Sequence, residues 1–233
     1  LMAMDMELES VLRAPAIDMP PYPAKVITLA NSKQMVVRQV KRTEVPILLE
    51  AVKPTMTIER DFYDIVGARL YAELLGWYRY RVRNEYCLVG QIDGYAVGIV
   101  NGRMVDHKIG MSYHTMAIDR GLKIGAHLFA AKMEYHIEYL NQEEVWITAE
   151  SPIGFRRWMI EYDLIQQEGV QHELGGATSY KLTRQLYFDS KARLVAGQRP
   201  VPQDQLDYAH DNLQVADEEA IREKICGTLG GQP

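Results

Sequence analysis

The chain has 233 residues, enough for one large domain or one domain with extensions. Its hydrophobic share of 47% is ordinary for a globular protein, and no run approaches the roughly 20 apolar residues a membrane-spanning helix needs. The formal net charge of -5 argues against a nucleic-acid-binding surface, and Asp5, Glu7 and Glu9 stand where a secretory signal would be basic and then apolar, so a cytoplasmic location is expected.

The charge is unevenly placed. Between positions 201 and 233, Asp204, Asp207, Asp211, Asp217, Glu218, Glu219 and Glu223 face only Arg222 and Lys224, so this segment supplies the whole -5 and the rest is neutral. Cys87 lies in an apolar strand pattern and reads as a buried, inert thiol. Neither it nor Cys226 has the companions of a zinc site, so no metal is expected.

Residues 1–34 read as an extended arm, because Pro15, Pro20, Pro21 and Pro23 oppose a regular helix or central strand. Met35 to Val40 reads as a first strand. Thr43 then offers an N-cap to a short helix that carries Pro46 in its first turn and ends near Val52. A longer helix is predicted from about Asp61, its cap, to Trp77, on the helical spacing of Phe62, Ile65, Val66, Leu70 and Leu74. Asp93-Gly94 joins the apolar runs 85–92 and 95–100 as a hairpin, and Asn101-Gly102 marks a second turn before a strand over 109–118. Leu122, Ala126, Phe129, Met133, Ile137 and Leu140 place one apolar face on a long helix. Val145 to Ala149 is a short strand, and Ser151-Pro152 starts a helix reaching about Glu161. Leu164 to Val170, a Gly175-Gly176 turn and Thr178 to Leu186 close the domain as a hairpin. The predicted fold class is α/β, a mixed, mostly antiparallel sheet over 35–187 with helices on both faces. A polar, acidic, partly helical tail over 188–233 follows it.

The chemically informative stretch runs from Ala117 to Leu128, where a strand leads through a glycine-containing turn into the long helix. Such a turn aims unpaired N–H groups and the positive end of a helix dipole at one point, which suits a phosphate or pyrophosphate. Gly121 and Gly125 permit close approach of a ligand, and Arg120 and Lys123 add positive charge.

These residues resemble the cofactor motif of the Gcn5-related N-acetyltransferase family. Arg120 matches its first position, Gly121 the glycine that often follows, and Gly125 its last, while Lys123 stands where the middle glycine is expected. The element order over 35–187 is likewise similar to that family's. The resemblance implies acetyl-coenzyme A as cosubstrate. Its pantetheine arm would meet the backbone of Met116 and Ile118, and its pyrophosphate would rest on Arg120, Gly121, Leu122, Lys123, Ile124, Gly125 and Ala126. It implies transfer of an acetyl group to a small-molecule or protein amine.

A base is then needed for the amine and an acid for the departing thiolate. Glu150, at the end of the fifth strand, is the first candidate base and His114 the second; a strand-end acid and a packed histidine account for them equally. The family commonly places a tyrosine on the following helix, where this chain has Trp158 or Met159, with Tyr162 one turn further on as a substitute. The departures at Lys123 and at this tyrosine keep a second reading open: a non-catalytic subunit of the same fold, assembled as a homo-oligomer or within a larger particle through its terminal extensions.

Overall fold

A computed structural model describes residues 6–15, 17–154, 160–175 and 178–227. One helix, α1 (Met6–Leu12), precedes the proline-rich stretch, and the arm then enters the sheet as an edge strand, β1 (Lys25–Thr28). β2 (Gln34–Gln39) leads through a 3-10 turn over Arg42–Glu44 into α2 (Val45–Val52), whose N-cap is Glu44 rather than Thr43. The reason is Arg38, a fully buried cation on β2. Its guanidinium donates to both Glu44 oxygens at 2.9 and 2.8 Å and draws Glu44 to the helix start.

α3 (Tyr63–Tyr78) begins two residues later than the spacing predicts. Asp61 and Phe62 both have left-handed backbone (φ 51° and 62°), so Asp61 lies outside the helix and does not cap it. β3 (Glu85–Ile92), β4 (Tyr95–Met104) and β5 (Ile109–Ala117) form an antiparallel meander. Asn101-Gly102 is no turn: β4 runs through it, and Asn101 is fully buried. α4 (Ile124–Glu134) continues as a π-helical turn over Tyr135–Tyr139. From Leu128 to Ile137 this helix is buried all round, so the single apolar face read from its sequence is too narrow. His136, deep within it, accepts from the Tyr86 hydroxyl at Nε2 (2.7 Å) while Nδ1 donates to Gln142 (2.5 Å); burial pushes the ring down to about 3, so it is neutral.

β6 (Glu144–Ile147) follows, then the start of a helix, α5 (Pro152–Gly154), which the described residues show as far as Gly154 and which Ser151 begins, its hydroxyl accepting from the Gly154 N–H at 3.2 Å. β7 (Ile165–Gln171) and β8 (Thr178–Thr183) make the closing hairpin, and α6 (Arg184–Leu194) takes Leu186 out of the predicted strand. Gly176 lies outside the described residues. The sheet order is β1-β2-β3-β4-β5-β6-β8-β7, and among the described strands β5 and β6 are the pair that runs parallel.

The C-terminal segment is folded onto the domain. α7 (Gln203–Asp211) covers β1 and β2 through Leu206 and Ala209, and the Ala209 carbonyl accepts from Arg38 and Gln91 at 3.2 and 2.9 Å. α8 (Glu218–Cys226) buries Ile221 and Ile225 against the α2–α3 side of the core. Its charged face is what the sequence displays, while two isoleucines one turn apart do the anchoring. Among the described residues no helix is long and apolar enough to cross a membrane.

Candidate functional site

The parallel pair β5–β6 is short. Pairing runs from Ile109↔Glu144 to Met111↔Trp146, after which β5 continues to Ala117 beside β4 alone. The strands therefore part, and a cavity of about 390 Å³ opens at the gap. β5 contributes Thr115 to Ala117, the following turn Arg120, Gly121 and Lys123, and α4 its first residues; Tyr63 and Val66 on α3 and Ser151, Ile153 and Gly154 also line it.

One irregularity decides which backbone groups face this cavity. Val100 pairs with Thr115 but Gly102 with Ser112, so Tyr113 and His114 together oppose Asn101 as a β-bulge. The His114 N–H donates to the Asn101 side chain (3.0 Å) instead of to the ladder, and the Ile118 N–H donates to the Val97 carbonyl at 2.9 Å. Because backbone directions alternate along a strand, Met116 and Ile118 turn their N–H groups to β4, and Thr115 and Ala117 turn theirs to the gap. The N–H groups of Met116 and Ile118, the residues expected to meet a pantetheine arm, therefore face β4 and not the gap. Met116 still lines the cavity; Ile118 is core. The Ala117 carbonyl faces the gap too and accepts from the Tyr63 hydroxyl at 2.6 Å.

The turn from Arg120 to Ala126 borders the cavity as expected, with Leu122 packed toward the core. Gly121 (φ 90°) and Lys123 (φ 58°, ψ 24°) both take left-handed backbone. Lys123, the departure from the family motif, therefore holds the conformation a glycine adopts freely, at a cost of about 1 kcal/mol. Lys123→Gly is expected to raise the melting temperature by about 2–4 °C, as a thermal denaturation curve would register. The N–H groups of Ile124, Gly125 and Ala126 have no carbonyl four residues back in the helix, so they are available to a ligand. Arg120 is already engaged: its guanidinium meets the Asp61 carboxylate at 2.8 Å, and Asp119 beside it pairs with Lys224 of α8 at 2.7 Å.

Glu150 and His114 come together where the strands part. His114 is fully buried; Nδ1 donates to Glu150 at 2.6 Å and Nε2 donates to Glu73 of α3 at 2.9 Å. Burial disfavours the imidazolium, but these two carboxylates outweigh it and push His114 up to about 9, so both ring nitrogens carry protons at neutral pH. Hydrogen bonds and charge from His114 and Arg69 hold Glu150 below the usual carboxylate range despite its burial. Around this pair stand groups the sequence reading did not single out. Asn101 Nδ2 donates to Glu73 at 2.7 Å and to Glu85 at 3.2 Å, and Lys132 donates to the His114 carbonyl at 3.0 Å. Burial and the neighbouring Glu73 push Glu85 up to about 8, and burial pushes Lys132 down to about 7.

Tyr162 is not part of this site. It is buried against Phe129 (ring centres 5.4 Å apart) in the core beneath β6 and β8, and burial pushes its hydroxyl well up. Trp158 and Met159, with the rest of 155–159, lie outside the described residues. Among the described residues no three His, Cys, Asp or Glu side chains converge as a metal site requires.

No protein-family model matches the sequence, and no curated protein is significantly similar to it. Solved structures do match. An uncharacterized protein of Bacillus halodurans superposes with a TM-score of 0.54 at 11% identity, over 74% of this chain and 96% of its own. FdhC, described as a nucleotide-linked sugar N-acetyltransferase of the Gcn5-related type, superposes with a TM-score of 0.50 at 10% identity, over 76% and 98%. The chain has the Gcn5-related N-acetyltransferase fold. Mycobacterium smegmatis RimJ, solved in complex with CoA-disulfide, also matches, with a TM-score of 0.47 at 10% identity over 76% and 98%. Within the N-acetyltransferase fold the mixed sheet, the parted parallel strands and the glycine turn of this chain find a common account.

Proposed function

We propose that this chain is an acyl-coenzyme A-dependent N-acyltransferase that acetylates an amine. The observation that carries the reading is the cavity between the parted β5 and β6, closed at one end by a left-handed glycine turn and the N-terminus of α4. Several features fit an acyl-coenzyme A. Thr115 Oγ1 lines the cavity region as a buried hydroxyl without a partner among the described residues. The N–H groups of Thr115 and Ala117 suit a pantetheine arm, and Gly121 through Ala126 suit a pyrophosphate.

The cosubstrate supplies an activated acyl group, which the amine nitrogen attacks as the carbon–sulfur bond breaks. The chain's part is to orient the thioester, polarise its carbonyl and manage protons. At neutral pH protonated His114 and ionised Glu150 hold each other in a buried pair beside the cavity rather than in its lining, so neither takes the amine proton well. Glu85, raised to about 8 by burial and the neighbouring Glu73, is itself largely protonated at neutral pH and does not line the cavity, so the reading rests on orientation of the thioester rather than on a base in this network. The assembly reading drew on Lys123 and the missing helix tyrosine as well as on the terminal extensions; of these, the extensions carry less weight here, because Tyr22 and Lys25 of the arm and Ile221 and Ile225 of α8 are buried in their own domain.

The test is calorimetric titration with acetyl-coenzyme A of the native protein, Gly125→Ala and Gly125→Glu. A Cβ at Gly125 meets only Ala117 Cβ at 3.6 Å and Thr115 Cγ2 at 3.9 Å, so alanine is tolerated. The glutamate carboxylate enters the anion position and is expected to weaken binding at least a hundredfold. Absence of binding by the native protein would remove the acyltransferase reading and leave the fold standing.

A further inference from the structure

A second concavity, on the opposite end of α3 from the parted strands, has a different chemistry. About 400 Å³ in volume, it is lined by Arg13, Arg42, Thr43, Tyr78, Arg79 and Tyr80. Every one of these side chains ends in an N–H or O–H donor, and none carries a carboxylate. In a chain with a net charge of -5, three guanidiniums around one hollow are not a by-product of general basicity.

The donors come from three separate parts of the chain: the residue after α1, the turn between β2 and α2, and the end of α3. Arg42 is held rigidly. Its guanidinium carbon lies 4.8 Å from the Trp77 ring centre and 4.1 Å from that of Tyr80, and Nη1 donates to the Trp77 carbonyl. Burial lowers its pKa, but a guanidinium stays charged. Tyr80 takes left-handed backbone (φ 58°), and its carbonyl accepts from the Ala14 N–H at 3.0 Å, which fixes Arg13 over the hollow. Glu9 is the carboxylate that reaches Arg13 among the described residues. It pairs with Arg81 and lies 3.9 Å from Arg13, leaving Arg79 with no carboxylate among the described residues.

We infer that this hollow is a binding site for the phosphate group of a small anionic ligand, with Arg13, Arg42 and Arg79 as the charged donors and Thr43, Tyr78 and Tyr80 as hydroxyl donors. Planar guanidinium forks with nearby hydroxyls match the oxygen geometry of a phosphomonoester, and a fixed Arg42 reduces the ordering cost of capture. The site is separate from the cavity between β5 and β6, and the assignment does not depend on the acyltransferase reading.

The experiment is calorimetry on the full chain at low ionic strength with inorganic phosphate and with adenosine monophosphate as probes. Submillimolar binding is expected, weakened at least tenfold in Arg79→Ala and in Arg13→Ala and unchanged in Gly125→Glu. The two arginines sit on different elements and are surface groups, so loss in both with unaltered circular dichroism reports the site rather than the fold. Binding by neither probe overturns the inference, as does binding that both variants retain. Sedimentation with phosphatidylglycerol vesicles forms the last arm: capture there without binding of either soluble probe would overturn the small-ligand assignment in favour of a membrane surface.

Discussion

Glu134→Ala is expected to cost about 3–5 kcal/mol of unfolding free energy at pH 7, as urea titration would measure. Glu134 sits on α4 with its carboxylate between three donors. Oε2 accepts from the Tyr22 hydroxyl at 2.7 Å, Lys25 at 2.8 Å and Arg199 at 3.0 Å, and Oε1 accepts from Arg199 at 2.9 Å. The Lys25 side chain is 1% exposed, so alanine at 134 leaves an ammonium buried beside a second cation and without its counterion. The same residue ties three distant parts of the chain together: the proline-rich arm, the central helix and the segment after α6. Burial alone would raise the Glu134 carboxyl, but Arg199 and Lys25 hold it down at about 2. A depressed carboxylate contributes stability above its unfolded pKa near 4.3 and loses it as the pH falls toward 2. Native protein should therefore lose about 3 kcal/mol across that window, and the variant should lack this part of the slope. A flat difference between the two curves would mean that the cluster is screened by water and contributes little.

His114→Gln is the second large effect, with the opposite pH signature. The imidazolium separates Glu73 from Glu150, and Glu85 lies just beyond. Without it these carboxylates share a buried region with Arg69 as the nearest cation partner of Glu150, and a loss of about 3 kcal/mol is expected at pH 6. A raised histidine stabilises fully below its unfolded pKa near 6.5 and ceases to as the pH rises through about 9. The gap between native and variant should accordingly close between pH 6.5 and 9. Lys132, pushed down to about 7, works in the other sense over part of this range, so the quantity to follow is the difference between the two proteins. A gap that stays constant to pH 9.5 would show that His114 acts through packing alone.

Much of the fold was legible because it is written in short-range terms. Asp93-Gly94 could only be a tight turn between two apolar runs, and the 117–128 stretch carries Gly121 where a left-handed turn needs it. Two kinds of information were not local. The bulge at Tyr113 and His114 shifts the parity of everything up to Ile118, and no residue type there announces it. It depends on Asn101 reaching across from β4, and Asn-Gly in isolation is a turn signal, so the sequence pointed the wrong way. Glu73 and Lys132 were hidden likewise: a charge within a helix reads as solvated unless the partners that neutralise it are known to be opposite. Glu150 was nameable as an acid at a strand end and His114 as a histidine within a strand, whereas Tyr162 was one turn of helix from a plausible role and faces the core instead.

The contacts between α8 and the cavity turn bear on how the protein is made. Lys224 pairs with Asp119, Arg60 donates to the Cys226 carbonyl at 2.7 Å, and Arg120 reaches the Ile225 carbonyl at 3.4 Å. Synthesis proceeds from the N-terminus, and sheets begin to form as their strands emerge. The parted strands and the glycine turn are therefore complete well before the helix that braces them has left the ribosome. A nascent chain stalled before position 218 would hold the sheet but leave Asp119 without its lysine and Arg120 with Asp61 alone. Bracing of this turn thus waits on residues 105 positions further along the chain, so the turn and its brace are made at different times.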